Sequence, residues 1–351
     1  MSSAELGLAT SNKFSGLDEL RGYAAVIVLL FHASARIGQP FLSGGYLAVD
    51  LFFLISGFVI AHAYDKRLPD LGVIAFLRLR LIRLYPLYLL GTCIGALLAA
   101  IWLGYGKHTT FNPGDLIAAI AYALLFLPAL GNKIDGSPFP LDIPAWSLLF
   151  EIIINAAYAA FFSYLSRTVI VVVTLTSGLA LVYLNTHPGI IDDVSGTGLY
   201  YSGLARVGFS FPLGVLMYRK RHLFPDFAKL GVATAPLLFV CLWGAQDAAR
   251  DLIFIMLVSP LLLMIAAQSK PIWPRLATYL AETSYCIYII HHPILMMVNG
   301  TANRLGVSSV VPIGIAIVAI LVGSHYLDKY YDRPVRNWLS SRFAGTAASR
   351  T

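Results

Sequence analysis

Charge is what this sequence has least of. Asp, Glu, Lys and Arg supply 12% of 351 residues, about half the share of a soluble domain. That is too little to solvate the surface of a water-soluble protein of this length. Cysteine is nearly absent too: Cys93, Cys241 and Cys286 all fall inside apolar runs, without the spacing of a disulfide framework or a thiolate metal site. Between residues 22 and 328 no polar gap is long enough to hold a soluble domain, and no low-complexity tract, linker or convincing repeat interrupts the apolar runs. The formal net charge of +7 is spread along short flanks of those runs rather than gathered into one patch, which argues against a nucleic-acid partner.

Apolar residues are what the chain has in excess, at 58% hydrophobic with a mean hydropathy of +0.74. Eleven segments are candidates for helices at membrane depth: 22 to 38, 45 to 64, 81 to 104, 115 to 130, 145 to 165, 168 to 185, 198 to 217, 230 to 246, 251 to 268, 280 to 299 and 310 to 328. The expected fold is an all-α membrane protein forming one polytopic domain over 1–351, with no C-terminal soluble domain. The enrichment of Lys and Arg in cytoplasmic loops arbitrates which segments cross. If all eleven cross from a cytoplasmic N-terminus, roughly 11 basic residues lie inside and 14 outside, against the rule. If 115 to 130 dips in and returns, about ten helices cross and the division becomes 19 inside and 6 outside. The second threading is therefore expected, with both termini cytoplasmic. Non-spanning backbone at depth is tolerated where protein or a cavity covers it.

Within the first run, Arg21 and His32 are eleven positions apart. At about 100° per residue this is close to three turns, so both side chains share one helix face about 16 Å apart along the axis. Ionisable residues within spanning helices are costly and mark functional sites by default. Counted from the predicted helix ends, His32, Asp50 and Glu151 fall in the outer third, with Arg206 and His291 near the same level or somewhat deeper. Two acids, two histidines and an arginine from five helices then converge on one layer. Mutual neutralisation and helix packing are one reading of such a set. The other makes His32 a general base whose imidazole a carboxylate orients. His292 is expected to face another side of its helix.

A second constellation is cytoplasmic. Between the second and third spans Phe76-Leu-Arg78-Leu-Arg80-Leu-Ile-Arg83-Leu-Tyr85-Pro86 presents Arg80 and Arg83 on adjacent turns. Guanidinium forks grip phosphate oxygens in bidentate fashion. Basic residues beside a span also serve topology and contact with anionic lipid.

Leu17-Asp-Glu-Leu-Arg21-Gly22, Leu30-Phe-His32-Ala and Val49-Asp50-Leu-Phe-Phe-Leu-Ile-Ser56-Gly57-Phe resemble the opening of the type 3 family of integral membrane acyltransferases. Arg80-Leu-Ile-Arg83-Leu-Tyr-Pro looks like the family's Arg-x-x-Arg element, Trp146-Ser147-Leu-Leu-Phe-Glu151 like its Trp-Ser-Leu-x-x-Glu element, and Ser284-Tyr285-Cys-Ile-Tyr-Ile-Ile-His291-His-Pro293 like its late Ser-Tyr to His-x-Pro element. Many members carry a second acid after the glutamate, where this chain has Ile152. Asp332-Arg-Pro334 resembles a tail element of the family. Together the motifs cover residues 17 to 336 in the family's order.

The resemblance implies a bacterial inner-membrane O-acyltransferase that moves an acyl group, often acetyl, from cytoplasmic acyl-coenzyme A to a carbohydrate or glycolipid hydroxyl at the outer face. Proteins of polysaccharide synthesis are its possible partners, the bilayer its solvent, and no metal is implied. Arg21, Arg80 and Arg83 would bind the donor. His32 would take the hydroxyl proton, Asp50 or Glu151 would orient it, and Arg206 or His291 would stand near the developing oxyanion. Polar groups gathered at one depth also suit a proton-coupled transporter, the alternative carried forward.

Overall fold

Apolar runs with no polar partner for their amides close the backbone on itself as helices, and helices carry almost all of the described chain. The structure, a computed structural model, describes residues 14–39, 41–105, 111–129, 131, 134–186, 198–244 and 247–348. Lys13, Lys107, Lys133 and Arg350, counted above for topology, lie outside the described residues, as does residue 130. The helices are α1 (Ser15–Arg36), α2 (Ala48–Tyr64), α3 (Val73–Gly104), α4 (Pro113–Leu124), α5 (Ala145–Ala160), α6 (Arg167–Thr186), α7 (Gly198–Lys220), α8 (Thr234–Leu242), α9 (Ala248–Gln268), α10 (Pro274–Arg304), α11 (Val310–Leu327) and α12 (Arg333–Ala348). Each predicted segment has its helix. Among the described residues the sole β-pairing is an isolated bridge between Leu42 and Gly244.

Five stretches are long and apolar enough to cross a bilayer by length and composition: Gly45–Tyr64, Val73–Gly104, Arg167–Thr186, Ala248–Gln268 and Val310–Phe343. Helices α1, α7 and α10 exceed 20 residues, yet fall outside that set. They carry the arginines and histidines discussed below, and these depress their hydropathy. The chain is a multi-pass membrane protein.

Helix packing here depends on small residues. Lipid is as apolar as the helix faces, so association relies on close van der Waals fit. Along the α2–α7 contact, a methyl group on Gly57 would lie 2.0 Å from the Phe211 carbonyl oxygen, and one on Gly214 would lie 2.1 Å from that of Leu54. Gly22 does the same for α1 against α10, where its Cβ would meet that of Leu280 at 2.2 Å.

The stretch predicted to dip and return has its own geometry. Helix α4 opens on a capping box, with the Asn112 side chain accepting from the Gly114 and Asp115 amides. It then runs back along α3, packing Leu116 and Ala119 towards Ala99. At its far end Tyr88 Oη donates to the Ala123 carbonyl at 2.9 Å and Tyr85 Oη to that of Leu124 at 2.8 Å. The chain reverses at Phe126, which has φ 58°, and climbs to α5. Leu141 crosses α3 so closely that any side chain at Gly95 would strike its carbonyl.

Arg80 and Arg83, placed by the sequence between the second and third spans, lie within α3, which starts at Val73. Of the three cysteines Cys286 is buried, Cys241 half-buried and Cys93 exposed.

Candidate active site

Arg21 is fixed at one end of a cavity by helix α10. Its Nε donates to Ser284 Oγ at 3.1 Å and its Nη2 to the Ala281 carbonyl at 2.9 Å, with Asp18 at 3.2 Å one turn before it. Arg80 and Arg83 stand beside it, because their i, i+3 spacing on α3 aligns them on one face. Arg80 Nη2 meets Glu151 Oε1 at 2.7 Å, and Ser56 Oγ donates to the same carboxylate oxygen at 3.2 Å. Arg80 Nε is buried with no hydrogen-bond partner, an unmet donor beside a cavity. These groups line a cavity of about 160 Å³ that runs between α2, α3, α5 and α10. Phe52 and Tyr288 also line it, and their rings meet edge to face with centroids 5.4 Å apart. Ser147 Oγ lies 2.7 Å from Tyr288 Oη.

One turn beyond Tyr288, its ring 6.0 Å away, is His291. His291 Nδ1 donates to the Ile287 carbonyl at 3.1 Å, so its Nε2 is the acceptor. His32 Nδ1 lies 3.0 Å from the Val28 carbonyl and 3.2 Å from His291 Nε2. Both of those atoms accept, so Nδ1 carries the proton of the neutral ring and Nε2 keeps its lone pair. This is the protonation pattern of a general base.

The structure thus brings together Arg21, Arg80, Arg83 and Glu151 in the cavity lining, and His32 with His291 one turn past Tyr288. It moves several sequence placements. Glu151 was expected beside His32, and instead it pairs with Arg80. The depth count had assumed that α5 starts at the outer surface. Its first residues lie beside Tyr288, midway along α10, where the Pro144 carbonyl accepts from Tyr288 Oη at 3.3 Å. Six residues further on, Glu151 reaches the arginine end. No carboxylate touches His32 among the described residues; the Val28 carbonyl and His291 hold its ring where Asp50 or Glu151 was expected to.

Asp50 and Arg206 form a closed pair. Arg206 donates through Nε to both Asp50 oxygens at 3.1 and 3.2 Å, and through Nη2 to Asp50 Oδ2 at 2.6 Å and the Tyr46 carbonyl at 2.9 Å. The guanidinium lies over the Trp146 ring, 5.2 Å from its centroid. Both side chains are at most 1% exposed. With these donors directed at Asp50 and Tyr46, the geometry joins α2 to α7 and does not aim Arg206 at the His32 ring.

Sequence reasoning passed over two residues here. His292 does not face away: it is buried, its ring centroid lies 5.5 Å from that of His32, and Arg36 Nη2 lies 3.3 Å from its Nε2. Arg36 is one turn past His32 on α1, which was a usable signal. Nothing local distinguishes His292 from an outward-facing neighbour of His291, because the packing of α1 against α10 is what buries it.

A family profile for an acyltransferase domain matches residues 14–328. With an arginine-lined cavity leading towards an imidazole pair, the fold and site define a membrane-embedded acyltransferase. The chain belongs to the type 3 acyltransferase family. It is similar to protein 2 of the picA locus of Rhizobium radiobacter, at 44% identity over 42% of this chain and 81% of that protein. It is also similar to the exopolysaccharide production protein ExoZ of Rhizobium meliloti, at 30% identity over 37% of this chain and 38% of that one. A third relative is the O-acetyltransferase OatA of Staphylococcus aureus, at 37% identity over 22% of this chain and 13% of that protein. No solved structure matches the chain at a significant level.

Proposed function

We propose that this acyltransferase moves an acyl group, acetyl in the first instance, from cytoplasmic acyl-coenzyme A to a hydroxyl of an exported or surface carbohydrate. The observation that carries the proposal is the order of groups across α1, α3 and α10: three arginines lining a cavity, Tyr288 further along that lining, and the His32–His291 pair one turn past Tyr288. Phosphate groups of the donor meet Arg21, Arg80 and Arg83, whose side chains line the cavity together. The thioester arm follows the cavity, and Tyr288 with Phe52 must yield for it to reach His32. The ExoZ and OatA relatives, named for exopolysaccharide production and O-acetyl transfer, support a carbohydrate acceptor.

In the reaction the acceptor hydroxyl gives its proton to His32 Nε2 as its oxygen attacks the thioester carbonyl. The carbon–sulfur bond breaks, and the departing thiolate takes the proton from the imidazolium, restoring the starting ring. His291 Nε2 accepts from Nδ1 throughout and favours the charged state of His32 in between.

The same reading places the chain in a bacterial inner membrane with ten crossings, α4 dipping in and returning, and both termini in the cytoplasm. The path of α4 back along α3, ending at Tyr85 and Tyr88, supports that threading.

Purified protein with radiolabelled acetyl-coenzyme A and a polysaccharide acceptor should release coenzyme A and label the glycan. Release should be lost in His32→Ala with the protein still folded. Solute uptake into vesicles without thioester consumption would overturn the proposal in favour of a carrier.

A further inference from the structure

Between α11 and α12 the helix widens into one π-turn over Asp328–Asp332, a bulge of the kind that often accompanies functional sites. Asp332 is buried, with its side chain 1% exposed. Its Oδ2 faces two guanidiniums at once, Arg83 Nη1 at 3.5 Å and Arg336 Nη2 at 3.0 Å. One carboxylate oxygen thereby holds side by side an arginine of the cavity lining and an arginine of the C-terminal helix. Arg83 is braced from the other side by the Tyr285 ring, 5.5 Å from its guanidinium carbon, and Tyr285 Oη donates to the Leu84 carbonyl at 2.6 Å. Arg336 Nε is buried without a partner, as Arg80 Nε is. Helix α12 continues along α3, with Arg78 over the Phe343 ring at 5.0 Å.

Two guanidiniums brought to one oxygen repel each other, and burial strengthens that repulsion. Arg336 Nη2 also lies 3.8 Å from Asp328 Oδ1, while Arg333 holds the other oxygen of that carboxylate, so both acid contacts of Arg336 run through Nη2. Arg336, with an unmet Nε, suits a multiply charged anion, because planar forks match phosphate oxygens.

We propose that Asp332 is a positioning residue that sets Arg83 and Arg336 side by side, and that Arg336 is a further phosphate-binding residue at the mouth of the arginine-lined cavity. This rests on the donor reading above and names a part of that site contributed by the C-terminal helix. The anion it takes is the phosphate portion of a nucleotide-linked thioester; Asp332 itself, a buried anion, does not touch it.

The test measures binding of coenzyme A itself to the full-length protein in nanodiscs, together with initial rates over a range of acetyl-coenzyme A. Arg336→Gln should weaken coenzyme A binding by about tenfold, the worth of one charge-assisted contact, and make it less sensitive to salt. Asp332→Asn should raise the apparent KM by a similar factor with kcat nearly unchanged, and Asp332→Glu should restore most of the loss. Wild-type binding of coenzyme A alongside unaltered binding in folded Arg336→Gln and Asp332→Asn would overturn this inference and leave the donor reading standing. Failure of the wild type to bind coenzyme A would overturn both. If Asp332→Asn does not fold, Asp332→Glu and Arg336→Gln still decide the matter: full affinity in Arg336→Gln refutes the proposal.

Discussion

His32 Nδ1 lies 3.2 Å from His291 Nε2, linking α1 and α10 through one shared proton. The carbonyls of Val28 and Ile287 fix the two rings from within their own helices. The pair therefore needs no carboxylate to set its tautomers. Replacing His32 by Ala should lower acyl transfer by about 10² to 10⁴, the usual range for a lost general base. His291→Phe keeps the ring volume and removes the acceptor, and should lower kcat by about tenfold with little effect on the KM for the donor, since Val28 still orients His32. Steady-state rates of both variants decide this. Near-normal transfer in His32→Ala would remove that residue from the mechanism.

The mouth of the cavity makes a separate demand. Arg80→Gln and Arg83→Gln should each raise the apparent KM for acetyl-coenzyme A by about tenfold, whereas a purely topological role would alter membrane insertion and leave the KM alone. Arg21→Lys keeps the charge but cannot reproduce the two-pronged contact with Ser284 and the Ala281 carbonyl, so it should be impaired as well. Kinetics combined with protease mapping of the loops distinguishes these outcomes.

Tyr288 lines the cavity and lies one turn before His291. Tyr288→Trp enlarges the plug against Phe52 and should cut transfer strongly while coenzyme A binding at the arginine end holds. Comparing the dissociation constant for coenzyme A with kcat in this variant checks the route. Equal transfer in the variant would mean that the thioester reaches His32 by another path.

The Asp50–Arg206 pair is a stability device. Arg206→Ala or Asp50→Ala leaves one uncompensated buried charge and should cost about 3–5 kcal/mol. Removing both charges with residues of matched volume, as in Asp50→Leu with Arg206→Met, should recover most of that loss. Denaturant unfolding in detergent micelles measures each, and a double variant no better than the singles would contradict the pairing.

Helix contact through glycine predicts a position-specific pattern. Gly57→Ala and Gly214→Ala drive a methyl group into the Phe211 or Leu54 carbonyl and should each cost about 1–3 kcal/mol. Gly323→Ala, where a methyl group meets nothing within 4 Å, should be neutral or stabilising by about 0.5–1 kcal/mol. Thermal inactivation midpoints of the three variants provide the comparison.

The sequence by itself determined the class of fold, a helix within each of the eleven apolar segments and the helix that Arg21 shares with His32. Hydrophobic run length reports helices directly, and the eleven-residue interval from Arg21 to His32 is a property of one helix that no neighbour can change. Partners across helices were decided by tertiary structure alone. Glu151 met Arg80 and not His32 because α5 begins halfway along α10, a depth set by the return path of the chain after α4. His292 joined the histidine cluster because α10 turns it inward, and Asp332 reached Arg83 across nearly 250 residues through a π-turn. Spacing along a chain fixes which side chains share a face, but the level at which a helix enters the bundle depends on how its neighbours pack.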